Sequence, residues 1–414
     1  MIRQTVLSTT AALAGLPSLA LAQDGPLQVA MHYTQEQAAP LIACIEGWDG
    51  HPAGATYQQI SYRDYLQTAL TARLAGQSPD VYNVYSIWAA QMAENGVLAE
   101  PPAEIAAFVR DGYAEGTVEA ASIDGQLYGV PTEVSVYMLV SNMAMLRDAG
   151  FEAPPATWNE LRTMAEAITT RNDQDRVETA GFAFAQSSSG AGIVHPFYAL
   201  LYSEGRTELY DDGEAALDDE AARVAVEKMS GLVQDDIVGL NVDAYDAFPA
   251  GGAAMMIMAN WYKSAIEEGL GTLDDVVVSP IPAGEDWRTL QYAFFMGVDS
   301  GSERQDAAWD LVRYLNAPRD GGASCMAEML HGLGALTASV ADTEALPEPD
   351  PFTQPFVDAI ADGRAISQPN VVQASEIEGL IALSIERIMA GETDAESALS
   401  ELDSEVEDIL FEFQ

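Results

Sequence analysis

The chain has 414 residues, 48% of them hydrophobic, which is enough for two or three domains with buried cores and excludes a disordered chain. Asp and Glu number 64 against 18 Lys and Arg, which gives a formal net charge of -46. This charge repels nucleic acids and anionic membranes and disfavours a strongly anionic ligand, so no nucleic-acid partner is expected.

The first residues have the pattern of a secretory signal peptide. Arg3 precedes an apolar run from Val6 to Ala22, and Ala20-Leu21-Ala22 forms a small-residue cleavage motif. A buried first helix is the alternative interpretation, and polar residues within the run disfavour a membrane-spanning helix. We therefore expect residues 1–22 to be a signal peptide cleaved near Ala22 and the mature protein to be exported to the periplasm.

After the cleavage site the chain alternates strands with helices. Strands are predicted at residues 27–33, 57–62 and 80–85, and helices at 38–48, 64–74 and around 91–96. The second helix has an apolar stripe at Leu66, Leu70 and Leu74, and Gly76 ends it. This alternation predicts an α/β domain with a largely parallel sheet.

Residues 124–168 are predicted to lead from one structural unit into the next. A strand at 134–140 places Val134, Val136, Met138 and Val140 on one face and Ser135, Tyr137 and Leu139 on the other. A break at Pro154-Pro155 follows, and Thr157 with Glu160 forms a capping box for a helix. The apolar stripe of this helix is Leu161, Met164, Ala165 and Ile168.

The second half is predicted to mix strands with many helices. Strands are expected at 179–184, 276–281 and 293–298 and within 249–261, a loop at 187–192, and helices around 195–198 and at 219–234. Residues 321–414 are expected to be mostly helical. Capping boxes are predicted for Ser302 with Gln305 and for Thr393 with Glu396.

Motifs for catalysis or metal binding are missing from the sequence. It contains no glycine-rich phosphate loop and no G-x-S-x-G elbow, and its four histidines lack ligand spacing. The two cysteines, Cys44 and Cys325, do not form a zinc or redox motif. In an oxidising compartment they could pair, but two separate buried thiols fit equally well. We expect no cofactor, no metal and no enzyme activity.

Several aromatic residues follow the ends of predicted strands. Tyr33 and Tyr85 are the last residues of the first and third predicted strands, Trp88 comes just after the third, and Trp261 follows the strand within 249–261. Ligands of open α/β sheets bind outside the carboxyl ends of the strands, and aromatic faces suit sugar rings and cations. Each residue alone could be an ordinary core aromatic. As a group they predict a ligand site.

Five segments of the chain carry a family resemblance. They read AGQSPDVYNVYSIWAAQMAENGVL, DGQLYGVPTEVSVYMLVSNMAMLRDAGFEAPPATWNEL, FPAGGAAMMIMANW, PIPAG and DAAWDLVRYLNAP. In this order and spacing they resemble the extracellular solute-binding proteins of ABC importers, in the sugar-binding group typified by maltose-binding protein. Ser141-Asn142 stands where that family has Tyr-Asn, and Ala259 or Asn260 replaces a glycine.

The resemblance implies a two-lobed α/β fold of the periplasmic binding protein type. Each lobe would be a mostly parallel sheet flanked by helices, with the ligand in a cleft between the lobes and closure by a hinge. Residues 27–136 and 290–316 would form lobe I, and residues 137–289 and 317–414 lobe II.

The resemblance also implies a set of ligand-binding residues: Tyr33, Thr34, Ser86, Trp88, Ser135, Tyr137, His195, Tyr198, Trp261, Gln373 and Ser375. Trp261, Trp88 and Tyr198 are expected to stack on the ligand. Hydrogen bonds to ligand hydroxyls are expected from Ser135, Ser86, Gln373 and His195. As a cleft residue, Tyr137 should tolerate Tyr137→Ala with weaker ligand binding and little loss of folding stability.

The expected function is the periplasmic substrate-binding component of an ABC importer. It would act as a monomer that binds a sugar or oligosaccharide and delivers it to the permease subunits by hinge closure. One alternative is a binding protein for a polyamine or another small polar solute, which a cleft carboxylate such as Glu133 or Glu376 would favour. The other is a secreted carbohydrate hydrolase, which needs two carboxylates facing each other across the cleft.

Overall fold

The structure is a computed structural model that describes residues 25–185, 190–206, 209–211, 214–284, 286–319 and 321–411. The predicted signal peptide lies outside the described residues, as do residues 187–189 of the predicted small-residue loop. Within the described ranges, no helix combines the length and apolarity needed to cross a bilayer.

Helices and strands alternate through the first half of the chain, as predicted. They are β1 (Leu27–Met31), α1 (Ala39–Gly47), β2 (Ala55–Gln59), α2 (Tyr65–Ala75), β3 (Val81–Tyr85), α3 (Ser86–Glu94), α4 (Ala103–Gly112), α5 (Glu115–Ala120), β4 (Ser122–Ile123), β5 (Gln126–Leu127), β6 (Val130–Asn142), α6 (Met143–Asp148), α7 (Trp158–Ile168), β7 (Thr170–Arg171) and β8 (Val177–Thr179). The central strand, β6, is buried along its whole length of 13 residues.

The second half of the chain is dominated by helices. Its elements are α8 (His195–Ser203), β9 (Tyr210–Asp211), β10 (Glu214–Ala215), α9 (Glu220–Gln234), α10 (Ala244–Ala247), β11 (Met255–Ala259), α11 (Lys263–Leu270), β12 (Val276–Ser279), β13 (Thr289–Val298), α12 (Gln305–Asn316), α13 (Cys325–Leu333), β14 (Leu336–Thr337), α14 (Val340–Ala345), α15 (Gln354–Ala361), β15 (Ala365–Ser367), α16 (Ala374–Met389) and α17 (Ala395–Phe411). The predicted mostly helical character of the C-terminal region is confirmed.

The main sheet has the order β11-β6-β13-β3-β1-β2, with β12 and β14 also paired to β6 and β15 to β13. Strands β1, β2 and β3 pair in parallel, as the β-α-β-α-β pattern predicted. The long strands β6 and β13 pair antiparallel with each other.

Strand β6 changes partners partway along its length. Residues up to Val136 pair with β13, and the residues from Tyr137 onward pair with β11 and β12. One strand therefore belongs to two groups of strands. The lobe boundaries stay a prediction, and this change of partners at 136 and 137 supports the predicted crossing.

Three clusters of buried residues form the core. One packs β1 against α1, α12 and α13, and another packs alternate residues of β6 against β11, β12 and α15. The third packs α3 and α8 with the helices α7, α9, α16 and α17. Val136, Met138 and Val140 face the second of these clusters and Tyr137 and Leu139 the third, so the predicted alternation of the strand is confirmed.

The two cysteines form a disulfide bond, which settles the question that the sequence left open. Cys44 lies in α1 and Cys325 at the start of α13, and both belong to the cluster around β1. Their Cα atoms are 6.4 Å apart although 281 residues separate them along the chain. The bond therefore fixes α13, within a segment that the prediction placed in lobe II, against α1.

Helix capping shows which local predictions hold. The Thr157 and Glu160 capping box is present, with reciprocal hydrogen bonds between side chain and backbone. The box predicted for Ser302 and Gln305 is wrong, because the Ser302 hydroxyl donates to Asp80 Oδ1 at 2.7 Å. Gln305 instead donates to the carbonyl oxygen of residue 300 at 2.8 Å.

Three further local predictions are corrected by the structure. The last helix is capped by Asp394, which accepts from the amide of residue 397 at 2.8 Å, in place of the predicted box of Thr393 and Glu396. Leu74 is 91% exposed and does not belong to the inner stripe of α2. Of the strand predicted at 179–184, only Thr179 lies in a strand, as the last residue of β8. Ala180 and Ala183 instead make separate backbone hydrogen bonds to residues 252–255.

Candidate functional site

A cavity of about 210 Å³ lies where the ends of several strands meet. The described residues that line it are His32, Tyr33, Gln37, Tyr62, Glu133, His195, Trp261, Tyr292, Phe294 and Leu333. They come from the segments after β1, β2 and β11, from the long strands β6 and β13, and from the ends of α8 and α13. The carboxyl-end location is the one expected for a ligand site in an α/β sheet.

The polar centre of the cavity is Glu133, whose side chain is 2% exposed. The Tyr33 hydroxyl donates to Glu133 Oε2, and the Ser135 hydroxyl donates to Oε1 at 2.7 Å. Burial raises the pKa of Glu133 above its usual range, and these two hydrogen bonds offset part of that rise. Glu133 and Ser135 are two residues apart on β6 and so project from the same face of the strand.

Aromatic rings form most of the cavity wall. The His195 ring stacks on Tyr292 with centroids 5.4 Å apart, and His32 stacks on Phe294 at 4.6 Å. Burial lowers the pKa of His32 to about 3, so its imidazole is neutral at pH 7. Trp261 is only half-buried, and its ring therefore keeps accessible surface toward the cavity.

His195 links elements that are far apart in the sequence through its two ring nitrogens. Gln368 Nε2 donates to Glu378 Oε1 at 2.7 Å, which orients the amide so that Gln368 Oε1 faces Tyr85. The Tyr85 hydroxyl donates to this oxygen. Because a tyrosine hydroxyl has one proton, His195 Nε2 donates to the Tyr85 oxygen at 2.9 Å. In the neutral imidazole, Nδ1 then accepts from the Tyr137 hydroxyl at 2.9 Å.

Three of the predicted ligand-binding residues, Tyr33, His195 and Trp261, line the cavity. Two others act one contact away, since Ser135 donates to Glu133 and Tyr137 bonds His195. Both are completely buried. Their direct contact with a ligand stays a prediction.

The other predicted residues do not reach the wall of this cavity. Trp88 stacks on Tyr65 with centroids 5.1 Å apart, and Tyr198 stacks on Tyr202, so both rings are core residues in the present geometry. Thr34 is exposed and exchanges hydrogen bonds with Gln37, which does line the cavity.

The remaining polar candidates lie at helix starts. Ser86 begins α3, and Gln373 precedes α16; both are buried. The Ser375 hydroxyl is buried without a hydrogen-bond partner among the described residues. Their contact with a ligand also stays a prediction.

Sequence reasoning did not select seven of the lining residues: His32, Gln37, Tyr62, Glu133, Tyr292, Phe294 and Leu333. A usable signal existed for three of them. Glu133 has the same strand parity as Ser135, and Tyr292 and Phe294 are likewise two apart on β13. From the sequence, Glu133 is expected only as a carboxylate that would favour a cationic ligand.

A larger cavity of about 770 Å³ lies on the other face of β6, where Val134 lines it. Its described lining contains no Trp, Tyr or Phe, and its Lys263 is already paired with Asp350 at 2.5 Å. The smaller cavity combines aromatic faces with a buried carboxylate, which is the composition that binds small polar ligands. We therefore assign the candidate site to the smaller cavity. Among the residues that the structure describes, no group of three or more potential metal ligands is present.

Residues 55–321 match the family model described as bacterial extracellular solute-binding protein. A binding protein of Brucella abortus (strain 2308) is 25% identical to this chain over 321 residues. The match covers 73% of this chain and 75% of that protein.

Solved structures share the fold of the chain. The GacH receptor of Streptomyces glaucescens, solved unliganded and with acarbose, has a TM-score of 0.80 at 22% identity, covering 93% of this chain and 98% of that one. An ABC transporter solute-binding protein of Thermotoga lettingae bound with α-D-tagatose has a TM-score of 0.82 at 19% identity, covering 93% and 100%. The fold is therefore that of the two-lobed solute-binding proteins.

Proposed function

Because this chain belongs to the bacterial extracellular solute-binding proteins, we propose that it binds a small sugar in the cavity around Glu133 and Trp261 and delivers it to an ABC importer. The observation that carries the proposal is the cavity itself: aromatic faces suited to sugar rings surround a buried hydrogen-bonding carboxylate. Similar structures hold acarbose and tagatose, which supports the sugar class.

The size of the cavity favours one sugar ring over a chain. Its volume of about 210 Å³ lies below the range of roughly 300–1,000 Å³ that is typical of pockets for drug-sized ligands. The hydrogen bonds of His195 and Gln368 to Tyr85 join elements from the two predicted lobes. Ligand binding that strengthens such contacts would favour a closed form, which the permease could then recognise.

The proposal includes no chemical step. Glycoside hydrolysis uses two carboxylates flanking the bond, and Glu133 is the one carboxylate among the described lining residues. We further propose that the protein is a periplasmic monomer whose signal peptide is cleaved near Ala22, and that its partners are permease subunits.

Fluorescence titration of the mature protein with a panel of sugars tests the proposal. Trp261 lines the cavity, so a bound sugar should change its emission, and Trp261→Phe should abolish that change. Trp287→Phe is the matched control, because Trp287 lies outside the cavity lining beside Arg364. Solution scattering should show a smaller radius of gyration with ligand. Absence of binding across monosaccharides and oligosaccharides would refute the sugar function.

A further inference from the structure

Glu133 is a buried carboxylate that no cationic side chain of the described residues contacts as an ion pair. Both of its oxygens accept hydrogen bonds from uncharged hydroxyls, of Tyr33 and Ser135. No Lys or Arg is among the described residues that line the cavity. Ionising a buried carboxyl that has no charged partner costs free energy, and the raised pKa of Glu133 expresses that cost. A bound cation beside the carboxylate would offset it.

Both lysines of the chain lie outside the cavity lining and already have carboxylate partners. Lys228 pairs with Glu204, and Lys263 pairs with Asp350. The imidazole of His32 beside the cavity is neutral at pH 7, because burial lowers its pKa to about 3. His195, the other lining histidine, bonds the hydroxyls of Tyr85 and Tyr137 through its two ring nitrogens. No described lining residue therefore forms an ion pair with Glu133.

The walls of the cavity also suit a cation. Trp261, Tyr62, Tyr292 and Phe294 are aromatic lining residues, and ring faces attract ammonium groups most strongly where water is excluded. The formal net charge of -46 adds a long-range field that raises the local concentration of cations and lowers that of anions. The buried carboxylate, the aromatic lining and the negative field of the protein all favour a positively charged ligand.

We propose that the ligand of this site carries an ammonium group, which Glu133 recognises against the aromatic wall. This inference rests on the proposed solute-binding function and specifies its ligand class. An amino sugar satisfies both the size of the cavity and the ring faces, and a small aliphatic amine shares the ammonium chemistry. A neutral sugar hydroxyl can donate to Glu133 but leaves the buried charge uncompensated.

Calorimetric titration at pH 7 with matched ligands tests the inference. D-glucosamine and D-galactosamine are compared with D-glucose and D-galactose, with the N-acetylated amino sugars, which keep the nitrogen but lose the charge, and with putrescine and choline. The ammonium-bearing ligands should bind at least tenfold more tightly than their neutral counterparts. Glu133→Gln should weaken ammonium binding about 10- to 100-fold, the range for a hydrogen bond to a charged group.

The variant Glu376→Gln is the matched control, because Glu376 is an exposed carboxylate outside the cavity lining and its loss should leave affinity unchanged. Glu133→Asp keeps the charge and should keep the preference for ammonium. Neutral sugars bound as tightly as amino sugars by the wild type would overturn the inference and leave the sugar function intact. Aliphatic amines bound without any sugar would overturn the sugar function and support the inference. If no ligand of any class binds, both are wrong.

Discussion

Removal of the disulfide between Cys44 and Cys325 should lower the stability of the protein strongly. The bond closes a loop with a sequence separation of 281 residues. Loop-closure entropy alone then gives an upper limit of about 6 kcal/mol at 25 °C, and native disulfides typically contribute about 2–4 kcal/mol. At about 2–4 °C per kcal/mol for a unit of ~200 residues, the melting temperature should fall by roughly 5–15 °C.

The assay is thermal unfolding, followed by circular dichroism, of the oxidised wild type and of the double variant Cys44→Ala/Cys325→Ala. Both cysteines are buried, so the wild type must be unfolded in reductant and refolded before its reduced form is measured. The reduced wild type should melt near the double variant, and reductant should leave the double variant unchanged. Equal melting temperatures for oxidised wild type, reduced wild type and variant would refute the pairing or its energetic role.

Three further predictions concern the site. Glu133→Gln should raise the free energy of unfolding of the unliganded protein at pH 7. Burial raises the pKa of this carboxyl, so the stability of the wild type falls as the pH rises above about 4.5, where the unfolded chain loses the proton. In thermal melts at acid pH, the difference between the two proteins should vanish. Below about pH 6.5, the free energy of unfolding of the wild type should fall relative to that of His32→Gln, by at most about 1.4 kcal/mol per pH unit. The reason is that burial lowers the pKa of His32 to about 3, so the unfolded chain takes up the proton first. Parallel pH profiles of stability for the two proteins would contradict this. Tyr137→Ala should lower the free energy of unfolding, measured by denaturant titration, by about 3–5 kcal/mol, because Tyr137 is completely buried. Tyr137→Phe keeps the ring and should lower it by about 1 kcal/mol. A small effect of Tyr137→Ala would instead support Tyr137 as an open cleft residue.

Much of the fold could be predicted because its signals are local. The capping box of Thr157 and Glu160 depends on residues three apart, and the buried stripe of α7 depends on helical spacing. The same local rule failed for Ser302, because Asp80 competes for its hydroxyl from a position 222 residues away. The prediction that Leu74 is buried was wrong, because single apolar residues near a helix end are often exposed.

The candidate site was harder to predict for the same reason. Tyr33 and Trp261 follow strand ends, which the sequence reveals, and both line the cavity. The carboxylate of Glu133 becomes meaningful only when hydroxyls from Tyr33 and Ser135 converge on it, and Tyr33 is 100 residues away along the chain. The position of Trp88 also follows a strand, but its ring turns into the core against Tyr65. Strand periodicity gives the face of a side chain, whereas the partner across the cavity comes from tertiary packing.

The hydrogen bonds that start at Tyr137 form a chain with a single direction. It passes through His195, Tyr85 and Gln368 and ends on Glu378. A carboxylate has no proton to give, so with a neutral imidazole Glu378 fixes the order of the donors and acceptors along this chain. An amide at that position, as in Glu378→Gln, could donate as well as accept, and the whole chain could then run in either sense. One carboxylate thus removes a twofold degeneracy. It orients the amide of Gln368, and its Oε1 atom lies 3.6 Å from His195 Nε2, so both contacts favour the neutral tautomer with its proton on Nε2.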